Sequence, residues 1–452
     1  MSQPIVVPER RSSDRSPRVF LGLSERAGHL SSIAIGLRLL GIDARFFNLS
    51  ADPFAYGGSR GAGARRINNL RYAPVGSIRQ RAWALALGIN RIVRRARAVL
   101  LFPWALMRYD AFILGGHETF LGGPDLWIIR RLRKSVVIVY TGTDHRPPYL
   151  SGAGIRQFKT SRSLAAETRR VRRRVATAER WATAIVALPA SAQLHRKPFV
   201  DFLALGIPFR QPGNSTEGSP TRVAGAAVRV LHCPTDLEGK GTERIRAAVE
   251  HCRQAGVDLD YRELIGRPNR EVLEALRWCD FVIDELYSDT AMAKFGTEAA
   301  SYAKPAIVGS YAADIYRGAD SSGIPPSYLC LPEEIDAAVL RLATDEPLRR
   351  GLGRDAQRFV AEHWSPEHVA ARVLTILDGA TPPNWIVFPE ALTYVHGWGV
   401  RESNLVVTLR QMLAELGTDA LGVPQGSPLE ERMIELAAKS VVDGGVAESH
   451  ER

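Results

Sequence analysis

Arg229-Val230-Leu231-His232, Lys240-Gly241-Thr242, Phe281-Val282-Ile283-Asp284, Phe295-Gly296-Thr297-Glu298-Ala299-Ala300 and Lys304-Pro305-Ala306-Ile307-Val308-Gly309 are the segments on which the fold turns. The short apolar runs predict strands, and the longer segments between them carry helical spacing. The helix opened by Thr242 places Ile245, Ala248, Val249 and Cys252 on one face and ends at Gly256. Strand and helix in strict alternation predict a parallel sheet with covered faces. Its helices begin at the carboxyl ends of strands, where unsatisfied N–H groups and the helix dipole favour an anion. Lys240 puts a cation at one helix start, and Gly296 and Thr297 offer backbone N–H groups at the other. Glu298 lies just inside that second helix and offers an acceptor for hydroxyl groups. The set suits a nucleoside diphosphate, with cation on phosphate and carboxylate on ribose.

The same alternation extends toward the N-terminus. A strand from Arg18 to Leu23 leads through Ser24-Glu25-Arg26-Ala27-Gly28 into a helix over His29–Leu40, and a strand follows at Ala44–Phe47. This is a βαβ unit with Gly28 at its first turn. Further strands are predicted at Asp110–Leu114, Val136–Tyr140 and Ala184–Leu188. Helices are predicted from Ile78 toward Leu101, over Pro124–Leu132 and over Ser161–Trp181. Gln211 to Pro220 is rich in turn formers and poor in apolar residues, as a linker between domains is. The expected fold class is α/β, with two Rossmann-like, doubly wound domains and a C-terminal extension. Its parts are a tail over 1–16, a first domain over 17–210, a linker over 211–227, a second domain over 228–382 and a mostly helical extension over 383–452. The cleft between the two domains is the expected site.

Composition narrows the partners. The chain has 45% hydrophobic and 24% charged residues, ordinary for a globular protein with a large core. Cys233, Cys252, Cys279 and Cys330 have neither zinc-site nor redox-pair spacing and read as buried thiols in a reducing compartment. The N-terminus has no apolar signal segment, so a cytoplasmic location is expected. The net charge is +11, and the stretch from Pro53 to Tyr109 holds eleven arginines and no Asp or Glu. An anionic membrane surface, met through the arginine-rich 60–108 segment, is one expectation. A solvated charged face over a core stripe is the other. Nucleic acid is not expected, because that segment has no recognisable module and few aromatic residues.

Four segments together resemble the GT-B glycosyltransferases, in particular the retaining group 1 (family 4-like) enzymes. They are Gly28 in the first loop, Val136-Val137-Ile138-Val139-Tyr140-Thr141-Gly142-Thr143-Asp144-His145-Arg146, the Lys240-Gly241 turn, and Phe295 to Val308. The resemblance spans roughly residues 17–378. It implies sugar transfer from a nucleotide-diphosphate sugar, with retention, to an envelope glycan, a lipid-linked or glycolipid acceptor, or a small molecule. It implies no cofactor beyond the donor and no metal. The sequence departs from the family at Thr235, where the family has Arg, at Thr290, where it has the first of two Glu, and at Thr141, where it has His. Donor binding survives these losses better than turnover, so a GT-B-shaped binding protein without catalysis is the alternative.

The resemblance implies that Lys240 neutralises the departing diphosphate, where charge builds as the glycosyl bond breaks. Gly28, Gly296, Thr297 and Glu298 then hold the donor, and Arg267 stands in for the missing Arg. His117 and Asp144 follow strands of the first domain and are placed to assist deprotonation of the acceptor hydroxyl. For these two a surface-loop or turn-forming role is the competing reading, as helix capping is for Gly296, Thr297 and Glu298. A dinucleotide enzyme is disfavoured, because no Gly-x-Gly-x-x-Gly follows the first strand.

Overall fold

The computed structural model describes residues 16–49, 78–116, 118–210, 226–318 and 323–440. Residues 1–15 of the predicted tail (1–16) and 211–225 of the predicted linker (211–227) lie outside the described residues, as does His117.

The first lobe is built on Val19–Leu23 (β1), Ala44–Asn48 (β2), Ala111–Gly115 (β3), Ser135–Val139 (β4), Ala184–Ala187 (β5) and Phe199–Asp201 (β6). These strands run parallel in the order β2-β1-β3-β4-β5-β6. Val-Phe-Leu-Gly-Leu in β1 and Ala-Phe-Ile-Leu-Gly in β3 are buried throughout, as strands covered by helices on both faces must be. The second lobe holds Val228–His232 (β7), Leu259–Glu263 (β8), Phe281–Glu285 (β9), Ala306–Gly309 (β10) and Tyr328–Cys330 (β11). They run parallel in the order β8-β7-β9-β10-β11. The protein is therefore α/β with two parallel-sheet, Rossmann-like lobes.

Helix Ile78–Arg108 continues past the predicted end near Leu101 and contains Pro103. An interior proline costs about 3 kcal/mol. Phe102 and Ala105, buried against Phe120 and Tyr109 in the first lobe's core, offset that cost.

The chain returns to the first lobe after the second. Helix Pro366–Leu377, which the sequence assigned to the second domain, lies on helix His29–Leu39. Val369, Ala370, Val373 and Leu374 share a core with Leu30, Ile33 and Leu37. The helices touch at Gly36, where a Cβ would stand 1.9 Å from the Pro366 carbonyl oxygen. Ile386–Val387 (β12) then pairs antiparallel with β6. Helices Glu402–Leu416 and Pro428–Ala438 add Leu405, Leu409, Met412 and Met433 to the core around Phe112 and Tyr149. The C-terminal extension thus completes the first lobe.

Between these helices and β12, Gly397-Trp398-Gly399 passes between the lobes. The Trp398 N–H donates to the Leu150 carbonyl at 3.0 Å, and the Gly152 N–H donates to the Trp398 carbonyl at 3.0 Å. On the other side the Gly399 N–H donates to the Tyr287 carbonyl at 2.9 Å. The fit depends on glycine, since a Cβ on Gly152 would stand 1.8 Å from the Gly399 carbonyl oxygen.

Candidate functional site

In the first sheet β2 lies on one side of β1 and β3 on the other; in the second, β8 and β9 flank β7 the same way. Strand order reverses at β1/β3 and at β7/β9, and the carboxyl ends at such points leave a crevice for ligands. The loops after β1, β4, β7 and β9 enclose one cavity of about 490 Å³ between the lobes. Lys240, Arg267 and Glu298 all line it, together with Glu25, Arg26, His29, Arg146, Asp289, Lys294 and Trp398.

Lys240 ends the turn from Asp236, and Gly241 starts the following helix with φ 69°. The Lys240 ammonium donates to Asp284 Oδ1 at 2.7 Å and lies 3.2 Å from Glu285 Oε2. Burial works against this charge, but the two carboxylates outweigh it and hold the Lys240 pKa above the usual lysine range. Glu285 also accepts from Ser288 Oγ at 2.6 Å and from Trp398 Nε1 at 3.2 Å. Burial alone would raise its pKa; Lys240, Ser288 and Trp398 hold it below the ordinary carboxyl value. Lys240 is a fixed but already balanced cation.

The two helix starts differ from the sequence expectation. Helix Lys294–Ser301 begins at Lys294, so Gly296 and Thr297 lie deeper in it than expected. The Gly296 N–H donates to Asp284 Oδ2 at 3.0 Å, and the Thr297 N–H donates to the Ala293 carbonyl at 2.9 Å. Neither N–H is available to a phosphate. Gly28 does adopt the left-handed conformation that favours glycine, φ 73°, at the start of helix His29–Leu39. Glu25, however, occupies that helix start. Its carboxylate accepts from the N–H groups of Arg26, Leu30 and Ser31 at 2.8, 3.3 and 2.9 Å. The protein's own carboxylates thus fill both dipole sites.

Anion capacity comes from side chains instead. Arg26 in the first lobe and Lys294 in the second line the cavity, and neither is in an ion pair among the described residues. Lys294 Nζ donates to the Pro208 carbonyl at 3.0 Å and sits 4.9 Å from the centre of the Phe209 ring. Burial lowers its pKa, opposed by Glu298 and Glu25. Arg267 is half-exposed, with Glu271 at 3.6 Å. Glu298 is 1% exposed, and its Oε1 accepts from Asn269 Nδ2 at 2.9 Å. Burial raises its pKa to about 7, against the pull of Lys294.

Asp144 does not face this cavity; it lines an adjoining one. Its carboxylate shapes its own loop, accepting from the Gly142 N–H at 3.0 Å and the Thr141 N–H at 3.2 Å. A Cβ on Gly116 would stand 2.3 Å from Asp144 Oδ2, so the neighbouring strand end needs its glycine too. The turn-forming reading describes its contacts.

Arg146, two residues on, crosses the lobes to pair with Asp289. His29 was passed over in the sequence because it reads as an ordinary helix-opening residue. It is 4% exposed, stacks on Phe202, and its Nε2 has no hydrogen-bond partner among the described residues. Burial drops its pKa to about 3, so the imidazole is neutral. Trp398 also escaped notice, as it comes from the extension and reaches the cleft only through the fold.

No protein-family model matches this sequence, and no curated protein matches it. In shape the chain is similar to several solved structures, each at low identity. The catalytic domain of starch synthase IV from Arabidopsis thaliana, bound to ADP and acarbose, is 10% identical over 81% of this chain and 99% of that one, with a TM-score of 0.49. HepE from Anabaena in complex with UDP-glucose is 12% identical over 80% and 99%, with a TM-score of 0.46. Sucrose-phosphate synthase from Thermosynechococcus elongatus is 14% identical over 81% and 99%, with a TM-score of 0.46. Likenesses of this degree carry nothing about the residues of the site.

Proposed function

We propose that the protein transfers a sugar from a nucleoside-diphosphate sugar to the hydroxyl of an envelope glycan, a glycolipid or a small molecule in the interlobe cavity. One observation carries this reading. A cavity of about 490 Å³ at the carboxyl ends of both sheets holds Arg26 and Lys294 from opposite lobes, each without an ion pair among the described residues. The volume is that of a ligand pocket, and two cations that face it without an ion pair of their own favour an anion. The diphosphate bridges them, with Arg267 at its outer side. Glu298, held by Asn269, receives the ribose hydroxyls. Lys240 keeps its charge across the working pH range and faces the leaving oxygen as the C1–O bond breaks toward the diphosphate. His29, in its Nδ1-protonated tautomer, orients the acceptor hydroxyl by accepting its hydrogen bond, and as the new C1–O bond forms the hydroxyl proton passes to the departing diphosphate oxygen. The resemblance of the sequence to the retaining group supports retention.

A second reading has its own observation. Asp284 and Glu285 already balance Lys240, and Glu25 and Asp284 already fill the helix starts. This favours a sugar-nucleotide-binding protein without turnover. Incubation with UDP-, GDP- and ADP-sugars, following both thermal stabilisation and release of the free nucleotide, separates the two. Turnover supports transfer, and stabilisation without turnover supports the binding protein.

We also propose that helix Ile78–Arg108 meets an anionic membrane surface. Ile92, Leu100 and Met107 recur at helical spacing and are 71%, 79% and 76% exposed. Arg97 is exposed on the same stretch of the helix. No helix among the described residues is long and apolar enough to cross a membrane.

A further inference from the structure

We propose that a second, arginine-lined cavity in the first lobe binds the phosphate or diphosphate group of a phosphorylated acceptor; this rests on the glycosyl-transfer reading of the interlobe cleft and names its acceptor class. The cavity measures about 700 Å³ and adjoins the cleft, with Thr143 and Arg146 lining both. Six arginines face it from three parts of the chain: Arg91, Arg94 and Arg95 from helix Ile78–Arg108, Arg146 from the loop after β4, and Arg170 and Arg174 from helix Ser161–Trp181.

Three carboxylates also line the cavity, Glu118, Asp144 and Glu167, and they do not balance six arginines. Glu118 is 3.2 Å from Arg94, and the single Glu167 serves both Arg170 at 2.5 Å and Arg174 at 3.9 Å. Arg146 is committed to Asp289. Arg91 and Arg95 have no carboxylate partner among the described residues; Arg95 reaches only the Leu121 carbonyl, at 3.5 Å. Surface arginines on a convex helix disperse their charge into solvent. Here they converge on a concavity, where field lines concentrate and an anion is strongly favoured. The planar guanidinium fork matches phosphate oxygens in a bidentate way. A volume of about 700 Å³ suits a small ester head rather than a nucleic-acid strand. A phosphate held by Arg91, Arg95 and Arg170 leaves the rest of the acceptor to extend past Arg146 toward the donor.

The test is calorimetric titration of the full chain with inorganic pyrophosphate, at low salt and at about 0.3 M salt. Wild type is compared with the combined Arg91→Gln, Arg95→Gln, Arg170→Gln variant and with Lys294→Gln in the donor cavity. Circular dichroism checks that each variant is folded, and all three arginines lie on helix surfaces. The triple variant is expected to lose about tenfold or more in pyrophosphate affinity, and added salt to weaken binding to wild type. UDP, GDP or ADP binding is expected to be unchanged in the triple variant. Pyrophosphate binding that is lost in Lys294→Gln but kept in the triple variant, or equal in all three proteins, overturns the proposal. Failure of every nucleotide to bind would instead remove the donor reading and leave the pyrophosphate result standing. Glycerol 3-phosphate in solution and farnesyl diphosphate in phosphatidylcholine vesicles distinguish a soluble from a lipid-linked acceptor. Dependence of either on the three arginines supports the site, and dependence of neither rejects it.

Discussion

Arg146 of the first lobe and Asp289 of the second form an ion pair between the lobes, with only 3% and 5% of their side chains exposed. Burial raises the Asp289 pKa and Arg146 opposes it, so Asp289 needs Arg146 to remain charged. Removing one partner strands a buried charge, which costs about 3–5 kcal/mol. Arg146→Ala and Asp289→Ala should each lower stability by that order in urea unfolding, and the double variant by less than the sum. Additive losses would show that the pair is not coupled.

Glu298 makes stability depend on pH. Its carboxyl titrates near 7 when folded, against 4.5 for the free group, so the folded state holds the proton more tightly. The stability this contributes is complete below about 4.5 and is lost as the pH rises through about 7, by up to about 3 kcal/mol. The stability difference between wild type and Glu298→Gln should therefore shrink from pH 4.5 upward and level off above about 7. A difference independent of pH would mean that the carboxyl is not desolvated.

Much of this was legible beforehand, and the gaps have physical causes. Helix Ser161–Trp181 and strand Ala306–Gly309 end where the sequence placed them, because periodicity and caps are local signals. β6 and β12 were missed: with three and two residues they carry no period of their own. Helix Pro366–Leu377 was assigned to the wrong lobe because its contact with Gly36 lies 330 residues away in sequence. At the site, Lys240, Arg267 and Glu298 do share a cavity. The state of Lys240 is hidden in the sequence, because Asp284 reads only as the end of a strand and the fold alone brings it and Glu285 to the ammonium. Gly296 and Thr297 were misplaced by a shift of one residue in a helix start. Glu25, His29 and Trp398 enter through packing that no local pattern records.

The extension should be indispensable to the first lobe. Gly152→Ala drives a methyl group into the Gly399 carbonyl, 1.8 Å away, and should cost about 1–3 kcal/mol or more as an overpacked contact. Deletion of residues 383–452 removes Leu405, Leu409, Met412 and Met433 from a shared core and should leave the first lobe unfolded. Limited proteolysis with circular dichroism reads both. A truncated chain that keeps a cooperative transition for the first lobe would contradict this.

Membrane contact through helix Ile78–Arg108 predicts a salt-sensitive interaction. Leu100→Glu with Met107→Glu should sharply reduce flotation with anionic liposomes while leaving nucleotide binding intact. Wild-type flotation that ignores lipid charge and salt would argue against an electrostatic surface contact.

The most direct measurement is equilibrium binding of UDP-, GDP- and ADP-sugars to wild type, Lys294→Gln and Glu298→Gln. The account predicts saturable binding of at least one donor, at one molecule per chain, weakened about tenfold or more by each substitution. Absence of binding by every donor, or an affinity that neither substitution changes, would contradict it.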